Sequence, residues 1–510
     1  MTDPTPEDQP GGDQNGGQNG DQNGDQNGRP GPVGGLPPMA EYLAADGPPT
    51  VSLPVSLPVA AGLGSVGPDG TAAGAGPGSG AQPAPRRPRR AARRRSREVD
   101  VLVIGAGPAG LAAATALCQA GVGSVEVVER EQEAGGIPRH SRHTGFAIRD
   151  LHRLMSGPEY ARWHVAQAGA SGAEVRTGVS VTGWATLPRA GEPLQVETTS
   201  AAGLERLAAG AVVLATGARE RPRSARLVAG DRGQGVLTTG LLQQLVYRYQ
   251  QPVGRRAVVV GAEHVSFSAL LTLKHAGVEV AAMVTDQPRH QTWSTLRFGS
   301  ALRFGVRLLP SSTVVRVIGR YRVEGVEVRR GNGRLQLIEC DTVVFTGDWI
   351  PDHELARTGG LAIDPGTRGP RVDTSLRTSQ PGVFAVGNLV HPVQAADLSS
   401  LRARQVAAGV VEHLAGGTPP ERVGVEVVGG LRWVCPNLVS PQGPKPARGG
   451  FVLWPTEFAR WARITVNQGD RELYSTRAWR LVPNRPHRLD PRWLSEVDVS
   501  DGAAPVTISG

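Results

Sequence analysis

The chain has only three cysteines, Cys118, Cys340 and Cys435, far apart in 510 residues. No C-x-x-C pair occurs, so neither a disulphide framework nor a neighbouring redox dithiol is expected, and the usage fits a reducing, intracellular setting. No metal site is expected either. No apolar run approaches the roughly 18 residues of a bilayer-crossing helix, so no membrane span is expected. The opening MTDPTPEDQP is acidic and polar, unlike a secretory leader. RRRSR at 93–97 has the outline of a twin-arginine signal. The apolar run behind it already reads as the first strand of a fold, so a cytoplasmic location is expected. Also missing from the body is a basic stripe interleaved with aromatics, so the net charge of +9 gives no reason to expect nucleic acid. Residues 1–97 hold nine arginines and nine acids, and the excess is scattered arginine on the remainder.

Length alone suggests two to four domains. Residues 1–85 are DQNG repeats followed by Pro, Gly and Ala. Such a segment buries too little apolar surface to offset its ordering entropy and is expected to be disordered. RRPRRAARRRSR (86–97) is a solvated linker or a tether to an acidic partner.

What is present is concentrated in VDVLVIGAGPAGLAAATALCQAGVGSVEVVER, residues 99–130. Apolar run, Gly105, Gly107, Gly110, small-residue helix, second apolar run and Glu129 form a G-x-G-x-x-G fingerprint in its strand–turn–helix–strand setting. Gly105 permits the tight turn, Gly107 lets a pyrophosphate approach the backbone, and Gly110 lets the helix lie close to the strand. Pro108 and Ala109 open the helix, whose N-terminus offers N–H groups and a positive dipole end. Glu129, followed by Arg130, lies where a carboxylate accepts from ribose hydroxyls.

A second unit, RRAVVVGAEHVSFSALLTLKHAGVEVAAMVTD, starts near 256. Gly261 and Gly277 repeat the spacing of Gly105 and Gly121. The repeat predicts an α/β fold with two Rossmann-like units. AVVLATGA (211–218) and CDTVVFTGDWIP (340–351) are buried strands ending in Thr216-Gly217 and Thr346-Gly347. TSQPGVFAVGN (378–388) is a turn and short strand ending in Gly387-Asn388. Residues 421–510 contain Trp433, Trp454, Trp461, Trp479 and Trp493, and alternate as β-strands do. They predict a small β-rich C-terminal domain, a candidate interface element.

GAGPAG with its distal Glu, Gly135-Gly136, ATG, the second glycine motif, TGDWIP and PGVFAVGN, in this order over about 98–418, resemble the flavoproteins with two dinucleotide-binding domains, the pyridine nucleotide-disulphide oxidoreductase superfamily. The resemblance implies FAD on the first unit and NAD(P)H on the second. It implies an FAD domain of 98–217 and 342–418 interrupted by an NAD(P)-binding-like domain of 218–341, between a tail of 1–97 and a C-terminal domain of 421–510. Gly105, Gly107, Pro108, Ala109, Gly110, Glu129 and Arg130 would hold the FAD pyrophosphate and ribose. Gly135 and Gly136 would pass the flavin half, Thr216 and Gly217 close the pocket, and Gly387-Asn388 approach the ribityl chain. The family usually carries Asp where Asn388 stands.

GGIPRHSRHTGFAIRDLHRLMSGPEYA (135–161) is most similar to the branch holding the flavoprotein subunits of hydrogen cyanide synthase, opine oxidase and anaerobic glycerol-3-phosphate dehydrogenase. Relatives often carry Cys at Ser141. A hydroxyl forms no disulphide, so disulphide reduction is excluded. His140 and His143 flank it as candidate proton shuttles to reduced flavin. In the second motif Gly261, Glu263 and Ser266, with Thr346 and Gly347, are the candidate NAD(P) positions. Glu263 replaces the glycine that pyrophosphate approach needs. It either turns away from a bound nucleotide or closes the site. Arg289, beyond the next strand, meets a 2′-phosphate or is solvated.

Two functional expectations follow. One is an FAD-dependent NAD(P)H oxidoreductase serving an external small-molecule or protein acceptor. The other is an electron-transfer subunit docked to an amine, opine or polyol-phosphate dehydrogenase, with a second flavoprotein or an iron–sulphur protein as partner. A flavin-stabilised scaffold without turnover is the third, blander reading.

Overall fold

The computed structural model describes residues 95–292, 305–392 and 394–510. The expectation of a disordered tail therefore lies outside the described residues up to 94. Its last three residues are corrected: Arg95–Arg97 belong to the first strand, Arg95–Ile104, paired with Glu205–Leu207. The Arg97 guanidinium also meets Glu126, 2.8 Å away, and Glu174. A charged start was misread as linker because its pairing partner is about a hundred residues downstream.

The first sheet orders its strands as Glu174–Thr177, Val125–Glu129, Arg95–Ile104, Gly203–Leu214, Leu194–Ser200 and Val179–Trp184, with Val383–Ala385 alongside Gly203–Leu214. The strands nearest the fingerprint are parallel, with Val101 opposite Val125 and Ala211. Strand alternation splits the apolar residues between two faces. Val101 and Val103 face helix α1 (Pro108–Gln119), whose alanines bring it close to the sheet. Leu102 and Ile104 face the opposite way, toward Trp433, Cys435, Val452 and Trp454. The C-terminal region thus shares a core with the first unit. Each fully buried aliphatic side chain there contributes roughly 1.5–3 kcal/mol.

Helix α2 (Gly157–Ala170) packs on α1 from the same side. After it come the short helix α3 (Thr239–Gln243) and helix α4 (His264–His275). The second sheet is parallel throughout, in the order Val236–Thr238, Thr342–Phe345, Arg256–Val260, Glu279–Val284 and Leu308–Leu309. This places Thr342–Phe345 in the second unit, whereas the sequence reading returned the chain to the first unit at 342. Its four buried residues, TVVF, carry no mark of which sheet they join. The chain crosses between units twice, and the crossings Ala218–Glu220 and Trp349–Pro351 pair as an antiparallel ribbon. Residues 423–509 form a five-stranded and a three-stranded sheet over a core including Phe451, Ile464, Trp493 and Ile508.

Candidate nucleotide sites

The first cradle is built by two close backbone approaches and one open position. A Cβ on Gly110 would overlap the Gly105 carbonyl, and one on Gly136 would fall 2.8 Å from the Gly107 Cα. A Cβ on Gly107 would meet nothing within 4 Å. Open space therefore lies in front of the N-terminus of α1, capped by Gly107 and entered through Pro108, where no side chain takes the N–H groups. Such a helix start attracts an anion. Glu129 Oε2 accepts from Ala106 N–H at 2.9 Å and Oε1 from Glu131 N–H at 3.0 Å, fixing the carboxylate at the strand end. The Gly135 N–H donates to Ala106 O at 2.7 Å, closing the GG turn on the same loop. Arg130 is exposed and lies 3.9 Å from Asp352.

Across the cradle, a Cβ on Gly387 would lie 2.6 Å from the Ala109 Cβ. Asn388 accepts from Gln394 N–H at 2.9 Å and donates to Gln394 O at 3.3 Å. The second bond needs an amide N–H, so aspartate would lose it. Thr216 Oγ1 donates to Asp352 O at 2.7 Å, and Gly217 O accepts from Asp352 N–H at 2.9 Å, tying the cradle's rim to the returning crossover.

Ser141 is buried and donates to Gln243 Oε1 at 3.0 Å, and Gln243 Nε2 donates to Ser268 Oγ at 2.8 Å. Ser141 is thus linked through α3 to α4. His140 is buried, its Nε2 without a hydrogen-bond partner, and desolvation, then Arg139, pull its pKa down to about 4. Burial also lowers His143, whose ring stacks on Phe146 at 5.3 Å. Burial thus disfavours the imidazolium form of both side chains.

In the second unit the Glu263 carboxylate turns into the protein. Oε1 accepts from Thr346 Oγ1 at 2.7 Å, and Oε2 from Ala262 N–H at 2.9 Å. Ser266 Oγ lies 2.7 Å from Thr346 Oγ1 and accepts from Glu263 N–H at 3.2 Å. The Thr346 hydroxyl has Glu263 Oε1 and, at 2.9 Å, Val260 O as acceptors, and Ser266 Oγ adjoins it. A Cβ on Gly347 would fall 2.5 Å from Glu263 Oε1, so glycine makes room for that carboxylate. Gly261, Glu263, Ser266, Thr346 and Gly347 are thereby one packed unit.

Sequence reading missed Glu220, buried beside it. Its Oε2 accepts from Gly240 N–H at 2.8 Å, while burial, with the nearby Glu263 charge adding, raises its pKa to about 7. Arg226, whose pKa burial lowers, donates to Gly347 O at 2.6 Å and to Thr346 O at 3.0 Å. Also missed was the C-terminal region's reach to this unit. Arg289 lies over the Phe458 ring, 4.3 Å from its centroid. His264 is exposed, and desolvation, then Arg485 and Arg149, pull its pKa down to about 4. A lone Phe or Arg some 170 to 220 residues downstream gives no sequence signal of such contact.

Among the described residues, no helix is long and apolar enough to cross a membrane. The family described as pyridine nucleotide-disulphide oxidoreductase matches residues 99–409. Sarcosine oxidase subunit alpha of Rhizobium meliloti (strain 1021) is 29% identical over 274 residues, 52% of this chain and 26% of that protein. The chain thus spans about a quarter of that relative's length. Ferredoxin--NADP reductase of Salinispora arenicola (strain CNS-205) is 31% identical over 308 residues, 57% of this chain and 86% of that protein. Thioredoxin reductase of T. acidophilum superposes with a TM-score of 0.53 at 22% identity, over 63% of this chain and 99% of that one.

Proposed function

The chain belongs to the pyridine nucleotide-disulphide oxidoreductase family, whose cofactors are FAD and NAD(P)H, and on that premise we propose that it oxidises NAD(P)H through FAD and passes the electrons to an external acceptor without a redox disulphide. FAD, when bound, supplies the two-electron chemistry. The chain's own residues bind and orient. Gly105, Gly107, Pro108, Ala109 and Gly110 present the helix start to the pyrophosphate, and Glu129 the ribose-facing carboxylate. Gly135, Gly136 and Gly387 supply close backbone approach, Thr216 and Gly217 hold the rim, and Asn388 fixes the loop to Gln394. Gly261, Glu263, Ser266, Thr346 and Gly347 shape the second turn.

The observation that carries the reading is the inward turn of Glu263. It meets the condition under which a carboxylate at this place leaves room for a nicotinamide nucleotide. Ser141 supports the missing disulphide, because its hydroxyl is committed to Gln243 and has no thiol chemistry. Anaerobic titration of the flavin-loaded chain with NADH and with NADPH tests the reading. Bleaching by either supports it, and a flavin that neither reduces overturns it. One observation favours the second reading, an electron-transfer subunit: a buried carboxylate still places negative charge where phosphates approach. Stable co-purification with a second flavoprotein or an iron–sulphur protein would select it.

A further inference from the structure

Two arginines of the first unit show how a guanidinium withdrawn from solvent is normally balanced. Arg176 meets Glu126 and Glu205, and Arg377 meets Asp373 and Glu412. Arg402, on the helix Ala396–Ala403, departs from that arrangement. It is partly buried, and among the described residues no carboxylate pairs with it. Its single hydrogen-bond contact is Nη1 to His391 Nε2, at 3.5 Å. Its Nε is buried without a partner, and Nη2 has none either. His391 is only 4% exposed, and its Nδ1 makes no well-aligned hydrogen bond.

The neighbouring charges deepen the deficit. Burial lowers the Arg402 pKa most; Cys435 acts the other way, while Arg488 and Arg448 add to the lowering. Burial in turn pushes the Cys435 pKa up to about 12, which disfavours the thiolate that would answer Arg402. Asp364 bears on Cys435 rather than on Arg402, and its Oδ2 accepts from Thr367 N–H at 2.7 Å. Three arginines are therefore gathered around one point, with no acid pairing the most buried of them. A charge withdrawn from water is costly unless it is balanced, so the anion that completes this group comes from outside the chain.

A cavity of about 30 Å³ opens at that point. It is lined by His391, Gln394 and Arg402 from the first unit and by Cys435, Pro436 and Gly450 from the C-terminal region, among others. One water needs roughly 10–15 Å³ of such space, so the cavity has the room of about two waters, or of one carboxylate group. The open Nε–Nη2 edge of a guanidinium carries two parallel N–H groups, the fork that a carboxylate accepts side-on. Gln394 is gripped by Asn388, and Gly387, which closes on Ala109, lines the cavity as well. The cavity thus adjoins the loop that faces the first cradle.

We propose that this seam between the first unit and the C-terminal region is a binding site for the carboxylate end of a small organic acid, held side-on by Arg402. The site stands whether or not a nicotinamide nucleotide reduces the flavin.

The test uses the full-length, flavin-loaded chain with sodium acetate as probe, against sodium chloride at matched ionic strength. Calorimetry and thermal unfolding read it. Acetate should bind saturably with millimolar affinity. At saturation it should raise the melting temperature by about 2 °C or more, because a ligand of the folded state alone stabilises that state. Arg402→Met keeps the apolar bulk and removes the charge, and should weaken acetate by about tenfold or more. Arg488→Gln changes an exposed position and should weaken acetate about two- to threefold through lost charge alone. Circular dichroism checks that each variant is folded. No saturable acetate binding by the wild type overturns the proposal, as does equal binding to a folded Arg402→Met protein. Chloride or inorganic phosphate binding as tightly as acetate also overturns it, in favour of a general anion site. If Arg402→Met does not fold, Arg488→Gln decides: weaker acetate binding supports the proposal and unchanged binding overturns it.

Discussion

The two nucleotide units use one backbone plan and opposite chemistry at one residue. Each runs strand, glycine turn, helix and strand, and each brackets its helix with glycines at the same spacing, Gly105 to Gly121 and Gly261 to Gly277. In the first, Gly107 offers its helix start to whatever approaches. In the second, Glu263 sends its own carboxylate into the turn and binds it to Thr346 and Ala262. A fold motif therefore specifies where an anion would sit, while the partners of a single side chain decide which way a carboxylate at that turn points.

The largest expected effect tests the open cradle. Gly107→Glu puts in the first unit what the second already carries, with no counterpart of Thr346 to receive it. The purified variant should be a folded, largely colourless apoprotein, measured by flavin absorbance against wild type. Full flavin content would show that a carboxylate is equally harmless in both units.

Acid crowding in the second unit gives the next effect. The Glu220 pKa is raised from 4.5 to about 7, so its contribution to stability is present below 4.5 and lost as pH rises through 7. Glu220→Gln keeps an acceptor for Gly240 and cannot ionise. Denaturant unfolding should find the variant matched to wild type near about pH 5 and more stable above about pH 8, by up to about 3 kcal/mol. Equal stability at both would show that the buried charge costs nothing.

A smaller effect isolates charge from shape at Glu263. Glu263→Gln retains the acceptor for Thr346 and removes the negative charge beside the helix start. We expect several-fold tighter binding of NADPH, about 1 kcal/mol, and a lower Glu220 pKa, since Glu263 helps to raise it. Unaltered affinity would mean that the inward turn already hides the charge from the nucleotide.

The smallest effect lies at the first strand's charged start. Arg97 is partly exposed but pairs with Glu126, whose side chain is 1% exposed. Arg97→Ala should lower the melting temperature slightly, at about 1 kcal/mol or less, because Arg176 still holds Glu126 at 2.6 Å. A large loss would make residues 95–97 part of the folding core of the first unit.

Local sequence carries both βαβ motifs, because glycine spacing and apolar runs are short-range signals. It does not carry the sheet membership of Thr342–Phe345, since a uniformly buried strand reads the same in either sheet. The basic and aromatic face on Ala459–Gln468 and Arg471–Leu481 is invisible for a related reason. Trp461 and Arg463 come to lie beside Trp479 and Arg477 only through cross-strand register. Glu220 shows no sign of its raised pKa until burial and the approach of Glu263 are known. Nor does sequence show why Asn stands at 388, where its amide grips the backbone N–H and C=O of Gln394.

The link from Ser141 through Gln243 to Ser268 joins the two halves with neutral hydrogen bonds alone. Each is worth about 1 kcal/mol. Hydroxyl and amide groups neither titrate in the physiological range nor oxidise as a thiol does. This link therefore keeps the same setting through swings in acidity and peroxide, a constancy that a cysteine at position 141 would not give.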